Sequence, residues 1–351
     1  MRVGICDIKD PNGESLVVHR VYETILAYNA ITSVRLRIDQ PDFWNQVRGL
    51  SLFIMRFGHL PSHLQQARDI LPIVERDYGI PCYPNQATSW HYDDKVKQHF
   101  LMKAHGFPII DSWTFYDRKA ALEWAARIED PVVFKLRGGA GSMNVVLVKT
   151  PRQAARLIRR MFGRGILPER FFSTGAVRFK HFNLYQELHH MGGNLYRWSK
   201  RLDTSPFWET QKNYVLFQRF LPGNDCDTRI TVIGNRAFAF RRMVRHADFR
   251  ASGSGRIDYD MSRIDMRCVE LAFRVSQQMG FQSMAYDFLM NESREPEFCE
   301  ISYAYVSSAV HSCPGYWDTG LDWHEGHFWP EHLHLVDALG LPDLKVPELD
   351  Y

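Results

Sequence analysis

The sequence lacks most of the features that would settle a function at once. Its six cysteines, Cys6, Cys82, Cys226, Cys268, Cys299 and Cys313, are scattered and form no CxxC pair. Several sit in apolar runs, where cysteine acts as a small buried hydrophobe, so a disulfide framework is excluded and a reducing compartment is expected. No apolar stretch approaches the ~18 residues of a membrane-crossing helix. The opening MRVGICDIKD carries charge too early for a secretory leader, which places the expectation in the cytoplasm. There is no Walker GK[ST], no HExxH, no internal repeat and no low-complexity segment. Charge is also in short supply. A net +3 is too little to argue for nucleic acid or membrane insertion, and Arg156, Arg159, Arg160 and Arg164 read as one solvated helix face.

What remains is an ordinary globular composition, 45% hydrophobic and 24% charged, in 351 residues, enough for two or three packed α/β units. Apolar runs at 3–8 and 50–55 alternate with helical spacing at 16–30 and 63–78, which predicts a parallel sheet with helices. A helix over 94–105 stops at Gly106-Phe107-Pro108. Strands follow at 131–134 and 145–149, then a helix at Pro151–Met161 with proline in its first turn. Residues 163–212 are rich in aromatics, histidine and glycine without a steady period, and read as an insertion or lid. A hairpin turning at Gly234-Asn235, a helix over 262–279 capped by Gly280, and strands at Ser283–Met290 and 297–303 complete the pattern. The expected domains are 1–89, an N-terminal α/β domain; 90–212, with the insertion; and 213–351, ending in an aromatic, His-rich tail.

Three features carry chemistry. In VVFKLRGGAGSMNVVLV a buried strand ends at Lys135 and runs into a loop holding Gly138, Gly139, Gly141 and Ser142. Glycines let backbone N–H groups approach phosphate oxygens, and lysine adds a point charge. Asp287 and Glu300 lie on neighbouring strands, AYDFLM and FCEIS, across a short turn. Such a pair either holds Mg²⁺, which takes one or two carboxylates, or is matched by arginines, because an unpaired charge inside an apolar strand is costly. Between these lie Arg229, Arg241, Arg242, Arg250 and Arg256, whose forks suit phosphate and carboxylate oxygens.

Taken in order, DDKVKQHFLMKAHGFPI, the glycine loop, FQRFLPGNDCDTRITVIGNRAFAFRRM, HADFRASGSGR and AYDFLM…EFCEIS resemble the ATP-grasp superfamily over roughly residues 90–305. The nearest resemblance is to the branch of the ribosomal-protein glutamate ligases. The resemblance implies an α/β (α+β) ATP-grasp fold behind an N-terminal pre-ATP-grasp domain, with Mg-ATP (or Mn²⁺) held between subdomains. It implies phosphate contacts from Lys95 and Lys135 and a loop, Gly138 to Ser142, that closes over them. Gln218, Arg219 and Phe220 fall on the adenine-holding hinge. Arg229, Arg242 and Arg250 fall to the transferred phosphoryl group, and Asp287, Glu300 and Ser302 to the metal. Two positions depart from the pattern. Ser302 stands where the family has asparagine, and Arg219, beside Gln218, stands where the hinge has glutamate.

The implied reaction is ADP-forming C–N ligation through an acyl phosphate, with small-molecule, saccharide or peptide carboxylates and amines as substrates. A phosphotransferase on the same fold and a non-catalytic nucleotide-binding relative are the alternatives. The oligomeric state stays open, a homodimer included. On this reading Asp287→Asn and Glu300→Gln stop turnover and leave folding almost intact. In the tail, His324, His327, His332 and His334 with Glu325 and Glu331 invite a zinc reading, but their spacing is not that of a ligand set. Trp317, Trp323, Phe328 and Trp329 read first as packing.

Overall fold

The structure, a computed structural model, describes residues 1–139, 145–168, 208–244 and 255–349. The chain opens on four short parallel strands: β1 (Arg2–Cys6), β2 (Thr32–Leu36), β3 (Leu52–Ile54) and β4 (Cys82–Tyr83), in the order β2-β1-β3-β4. β1 and β3 are apolar on both faces, as a parallel sheet covered by helices requires. Val21, Tyr22, Ile25 and Leu26 of the helix Val17–Tyr28 pack on Val3, Ile5, Leu52 and Ile54. The same core takes in Leu335 and Val336 of the helix Pro330–Leu339, so the end of the chain returns to the first sheet.

The middle of the chain builds an antiparallel sheet of β5 (Ser112–Phe115), β6 (Val132–Lys135), β7 (Val146–Val148) and β8 (Val215–Arg219), in the order β5-β8-β6-β7. Its apolar face packs on the helices Arg118–Ala125 and Pro151–Met161 through Phe134, Phe217, Ala121, Leu157 and Ile158. The helix Lys95–Ala104 begins at Asp94, whose side chain accepts from the Lys97 N–H and so meets one of the open donors of the first turn.

The last third forms a larger sheet from β9 (Cys226–Ile233), β10 (Arg236–Met243), β11 (Ile257–Asp258), β12 (Ser283–Met290), β13 (Pro296–Ser302), β14 (Gly315–Asp318) and β15 (Trp323–Glu325). The order is β13-β12-β9-β10-β14-β15, with β11 on β10. The helix Met266–Met279 lies against it and ends at Gly280, which adopts φ 66°, the left-handed cap that glycine makes without strain.

Two compact units result. Met1–Gly58, Ser62–Tyr92 and Asn224–Tyr351 form the first; His59–Pro61 and Asp93–Gly223 form the second. The N-terminal parallel sheet and the C-terminal antiparallel sheet thus belong to one unit, and Lys135 to Gly139 and β8 to the other.

Two fully enclosed histidines make the first unit sensitive to acid. His19 Nε2 lies 3.1 Å from the Arg56 carbonyl, with Asp7 3.9 Å from its other nitrogen. His334 sits between Tyr22 Oη at 3.0 Å and Tyr305 Oη at 2.8 Å and stacks on Tyr83. Burial holds His19 down at about 4. Burial, then the charge of Arg56, holds His334 well below the ordinary value. Unfolded, both rings titrate near ~6.5. As the pH falls below that value the unfolded chain takes up protons that the folded chain refuses, so stability is complete above it and is lost on the way down to the folded values. Each group contributes at most about 1.4 kcal/mol per pH unit. The urea midpoint should therefore drop between about pH 7 and about pH 5. A midpoint that does not move over this range would mean that both rings carry protons in the folded state.

Candidate functional site

Strand alternation sorts the charged residues of the large sheet. Tyr286 Oη meets Ser276 of the helix Met266–Met279 at 2.6 Å, so Asp287, the next residue, points to the opposite face. Register places Asp287 directly opposite Arg229 of β9 and Glu300 of β13, and places Arg242 of β10 opposite Asp227. A register shift just after Asp287 adds a residue to β13 there, and such bulges re-aim side chains next to functional sites.

The row is tightly paired. Arg229 donates from Nε to Asp287 Oδ1 at 2.6 Å and from Nη2 to Oδ2 at 2.8 Å. Arg242 donates from Nε to Asp227 Oδ1 at 2.7 Å, and its Nη2 reaches Asp227 Oδ2 at 2.6 Å and Asp287 Oδ2 at 2.7 Å. The guanidinium groups expected to face a phosphoryl group are here turned onto two aspartates. Burial alone would raise both carboxyls. At Asp287 the charges of Arg229 and Arg242 outweigh it and hold the carboxyl well below the usual range. At Asp227 burial and repulsion from Asp287 outweigh Arg242, and the carboxyl is pushed up. The two arginines balance the two aspartates one for one, and Glu300 brings a further negative charge to the same face.

A divalent cation fits this donor set in a restricted way. A carboxylate offers about four lone-pair sites, and three on Asp287 are engaged by guanidinium. The remaining Oδ1 site, the Glu300 carboxylate and the Ser302 hydroxyl, which donates to the Ala304 carbonyl at 2.7 Å and keeps its lone pairs, make an all-oxygen set. Hard Mg²⁺ accepts one or two carboxylates and keeps waters and phosphate oxygens for the rest.

In the second unit the base of the glycine loop is latched to the start of the helix Lys95–Ala104. Lys95 Nζ donates to the Gly139 carbonyl at 2.9 Å, and the Lys95 N–H to the Arg137 carbonyl at 2.9 Å. The Gly139 N–H donates to both oxygens of Asp93, at 2.9 and 3.0 Å. Gly138 is needed for this approach: a Cβ there would stand 2.8 Å from Asp93 Oδ2. Arg137 lies over the Tyr214 ring, and its N–H donates to Tyr214 Oη at 2.7 Å.

Register also sorts the hinge. Lys135 pairs with Leu216, Val133 with Gln218 and Val132 with Arg219. Lys135 and Gln218 therefore share one face, with Gln218 Nε2 near Ser112 Oγ at 3.4 Å. Arg219 projects from the other face, with Phe217 and Phe134. Phe220 follows the strand. Gly141, Ser142 and Arg250 lie outside the described residues, as do 169–207 of the expected insertion.

The tail histidines find ordinary partners: His324 with Asp318, His327 with the His311 carbonyl, His332 with the Leu344 carbonyl. Among the described residues no three His, Cys, Asp or Glu side chains gather into a metal-holding group. Trp329 stacks on His311 at 3.8 Å.

Sequence reasoning did not single out Asp227 or Asp93. Asp227 stands two residues before Arg229 on one strand, so alternation alone puts both on one face. Asp93, at φ 51°, is an aspartate in the left-handed region just before a helix cap, and that has no unambiguous sequence signal.

No protein-family model matches the sequence, and no curated protein matches it. Solved structures do match. D-alanyl-alanine synthetase A from Vibrio cholerae superposes with a TM-score of 0.58 at 12% identity, covering 97% of this chain and 97% of its own. D-cycloserine synthetase DcsG gives 0.54 at 15%, covering 98% and 100%. A RimK domain ATP-grasp protein from Sphaerobacter thermophilus gives 0.50 at 14%, covering 88% and 93%. At such identities the likeness concerns the fold: the chain has the α/β ATP-grasp fold over nearly its full length, and these matches resolve no branch within it.

Proposed function

We propose that this chain, whose fold is ATP-grasp, is an ATP-dependent carboxylate–amine ligase that forms ADP. The observation that carries the reading is the row Arg242, Asp227, Arg229, Asp287 and Glu300 on the face turned away from the helix Met266–Met279. A phosphoryl-transfer site needs fixed positive groups for the transferred phosphate and oxygen donors for its metal, because catalysis there is positioning and charge neutralisation. This row supplies both, and its arginines are already held in place by aspartates. The likeness to two structures named as synthetases supports the same reading.

In the proposed reaction a substrate carboxylate oxygen attacks the γ-phosphorus of ATP and ADP leaves, giving an acyl phosphate. The amine nitrogen then attacks the acyl carbon, phosphate departs with the bonding pair, and the nitrogen loses a proton. Lys95, Lys135 and the backbone of Gly138 and Gly139, with Gly141 and Ser142, bind the nucleotide phosphates. The β8 strand through Gln218, Arg219 and Phe220 takes the adenosine end. Arg229 and Arg242, with Arg250, orient the transferred group. Glu300, the open site on Asp287 and the Ser302 hydroxyl hold Mg²⁺ or Mn²⁺, which when bound would neutralise phosphate charge.

The test is an ADP-release screen of carboxylates and amines, offered singly and in pairs with Mg-ATP. A ligase releases ADP in full only when both partners are present. ADP release with phosphate left on a single acceptor would make the chain a phosphotransferase, and ATP binding without stimulated release would make it a non-catalytic binder.

A further inference from the structure

At the carboxyl end of β3, Arg56 is nine-tenths buried, and among the described residues it forms no ion pair. Its Nη1 lies a long 3.5 Å from the Phe57 carbonyl, and its guanidinium lies over the Tyr303 ring at 4.7 Å, within reach of the neutral Tyr303 phenol. Two of its neighbours are uncharged: the Tyr303 ring, and His19, 3.1 Å from the Arg56 carbonyl and held neutral by burial. Burial keeps His334 of the same unit neutral as well. Asp7, just past the carboxyl end of β1, is engaged elsewhere: it accepts from Ser15 at 2.5 Å and Arg35 at 3.2 Å and pairs with Lys9 at 3.0 Å. A buried cation without a counter-ion is costly, by several kcal/mol per ion, and five N–H donors in a fixed fork are suited to a planar two-oxygen anion.

The position has meaning as well. In the order β2-β1-β3-β4 the chain steps to one side of β1 and then to the other, so the gap between the carboxyl ends of β1 and β3 is the topological switch point, where open α/β sheets bind ligands. Arg56 stands there. The next residue ties the spot to the end of β13: Tyr303, adjacent to Ser302, donates from Oη to the Phe57 carbonyl at 2.6 Å and accepts from the Phe57 N–H at 3.2 Å.

We infer that Arg56 anchors a carboxylate of the substrate at this switch point, between aromatic walls. The inference rests on the ligase reading for its choice of carboxylate over other anions. It makes Arg56 a binding and specificity residue, distinct from the Asp287 row.

The experiment titrates the whole chain with benzoate, with its neutral analogue benzamide and with inorganic phosphate by calorimetry, without nucleotide, and titrates Mg-ADP separately. The wild type should bind benzoate at least ~10-fold more tightly than benzamide and more tightly than phosphate, an increment of about 1.4 kcal/mol. Arg56→Met should erase that preference, Arg56→Lys should keep part of it, and both should bind Mg-ADP as the wild type does. Benzoate and benzamide binding alike to the wild type, benzoate binding unchanged in Arg56→Met, or a preference for phosphate would each overturn the assignment. Should Arg56→Met fail to fold, the arginine Nε–H resonances of the wild type decide. Benzoate must shift one of them and benzamide none, and no benzoate-specific shift rejects the site. Failure of Mg-ADP to bind while benzoate still does would reject the nucleotide reading and leave this one standing.

Discussion

Asp287→Asn is expected to destabilise the protein as well as silence it. Asp287 is buried and held by both Arg229 and Arg242. Removing its charge leaves the buried Arg242 and the partly buried Arg229 without the carboxylate they share. Breaking a buried pair by removing one partner costs about 3–5 kcal/mol. The sequence alone gives the same expectation for Asp287→Asn and Glu300→Gln, with folding almost intact; the pairing of Asp287 leads to a different expected result for Asp287→Asn. Arg229 and Arg242 donate to Asp287 and Asp227 and not to Glu300, so Glu300→Gln should lose ADP release without stranding these two guanidinium groups. Urea unfolding separates the cases: the Asp287→Asn midpoint drops by the larger amount at an unchanged slope. Asp287→Asn combined with Arg229→Gln should recover part of the loss, because it removes the stranded charge along with its partner. If Asp287→Asn keeps the wild-type midpoint, the pairing does not hold the sheet together and the carboxylate serves ligand alone.

Gly139→Ala should act through the nucleotide. Gly139 adopts φ +111°, a backbone region that L-residues rarely enter, and a Cβ there would meet nothing within 4 Å. The penalty is therefore purely conformational, about 1–3 kcal/mol. It falls on a residue whose N–H reaches Asp93 and whose carbonyl takes Lys95. Relaxing the strain means opening that latch, so on the proposed reading the ATP concentration at half-maximal ADP release should rise about 10- to 100-fold, at about 1.4 kcal/mol per factor of ten. Asp93→Ala should follow it in the same direction, having lost a charged acceptor worth about 1.5–3 kcal/mol. Asp93→Asn, which tolerates the left-handed backbone and keeps one acceptor, should fall between. An ATP dependence indifferent to both Gly139→Ala and Asp93→Ala would detach the loop from the phosphates.

These expectations differ in how far they could be drawn from the amino-acid order. Strand alternation, the Gly280 stop, the start of a helix at Asp94 and the sequence of glycine loop, arginine strands and carboxylate strands are local or ordinal properties. Backbone geometry fixes them within a few residues; they sufficed for an α/β reading, and the family resemblance they carry implied the fold class and a candidate set centred on Lys135, Asp287 and Glu300. The partners of those residues are another matter. That Asp287 is claimed by Arg229, 58 positions earlier, follows from the register between β9 and β12, and a shift of one residue would turn either side chain to the other face. That Arg56 is enclosed with no ion pair among the described residues depends on Tyr303, whose hydroxyl is bonded to Phe57 across 246 positions, and on a tail helix that returns to the first sheet. Composition and local spacing carry no information about such contacts. By itself the sequence determined which groups were available for chemistry; only tertiary packing decided which of them neutralise one another and that Arg56 is buried with no ion pair among the described residues, because a charge is worth what its neighbours make it in a low-dielectric interior.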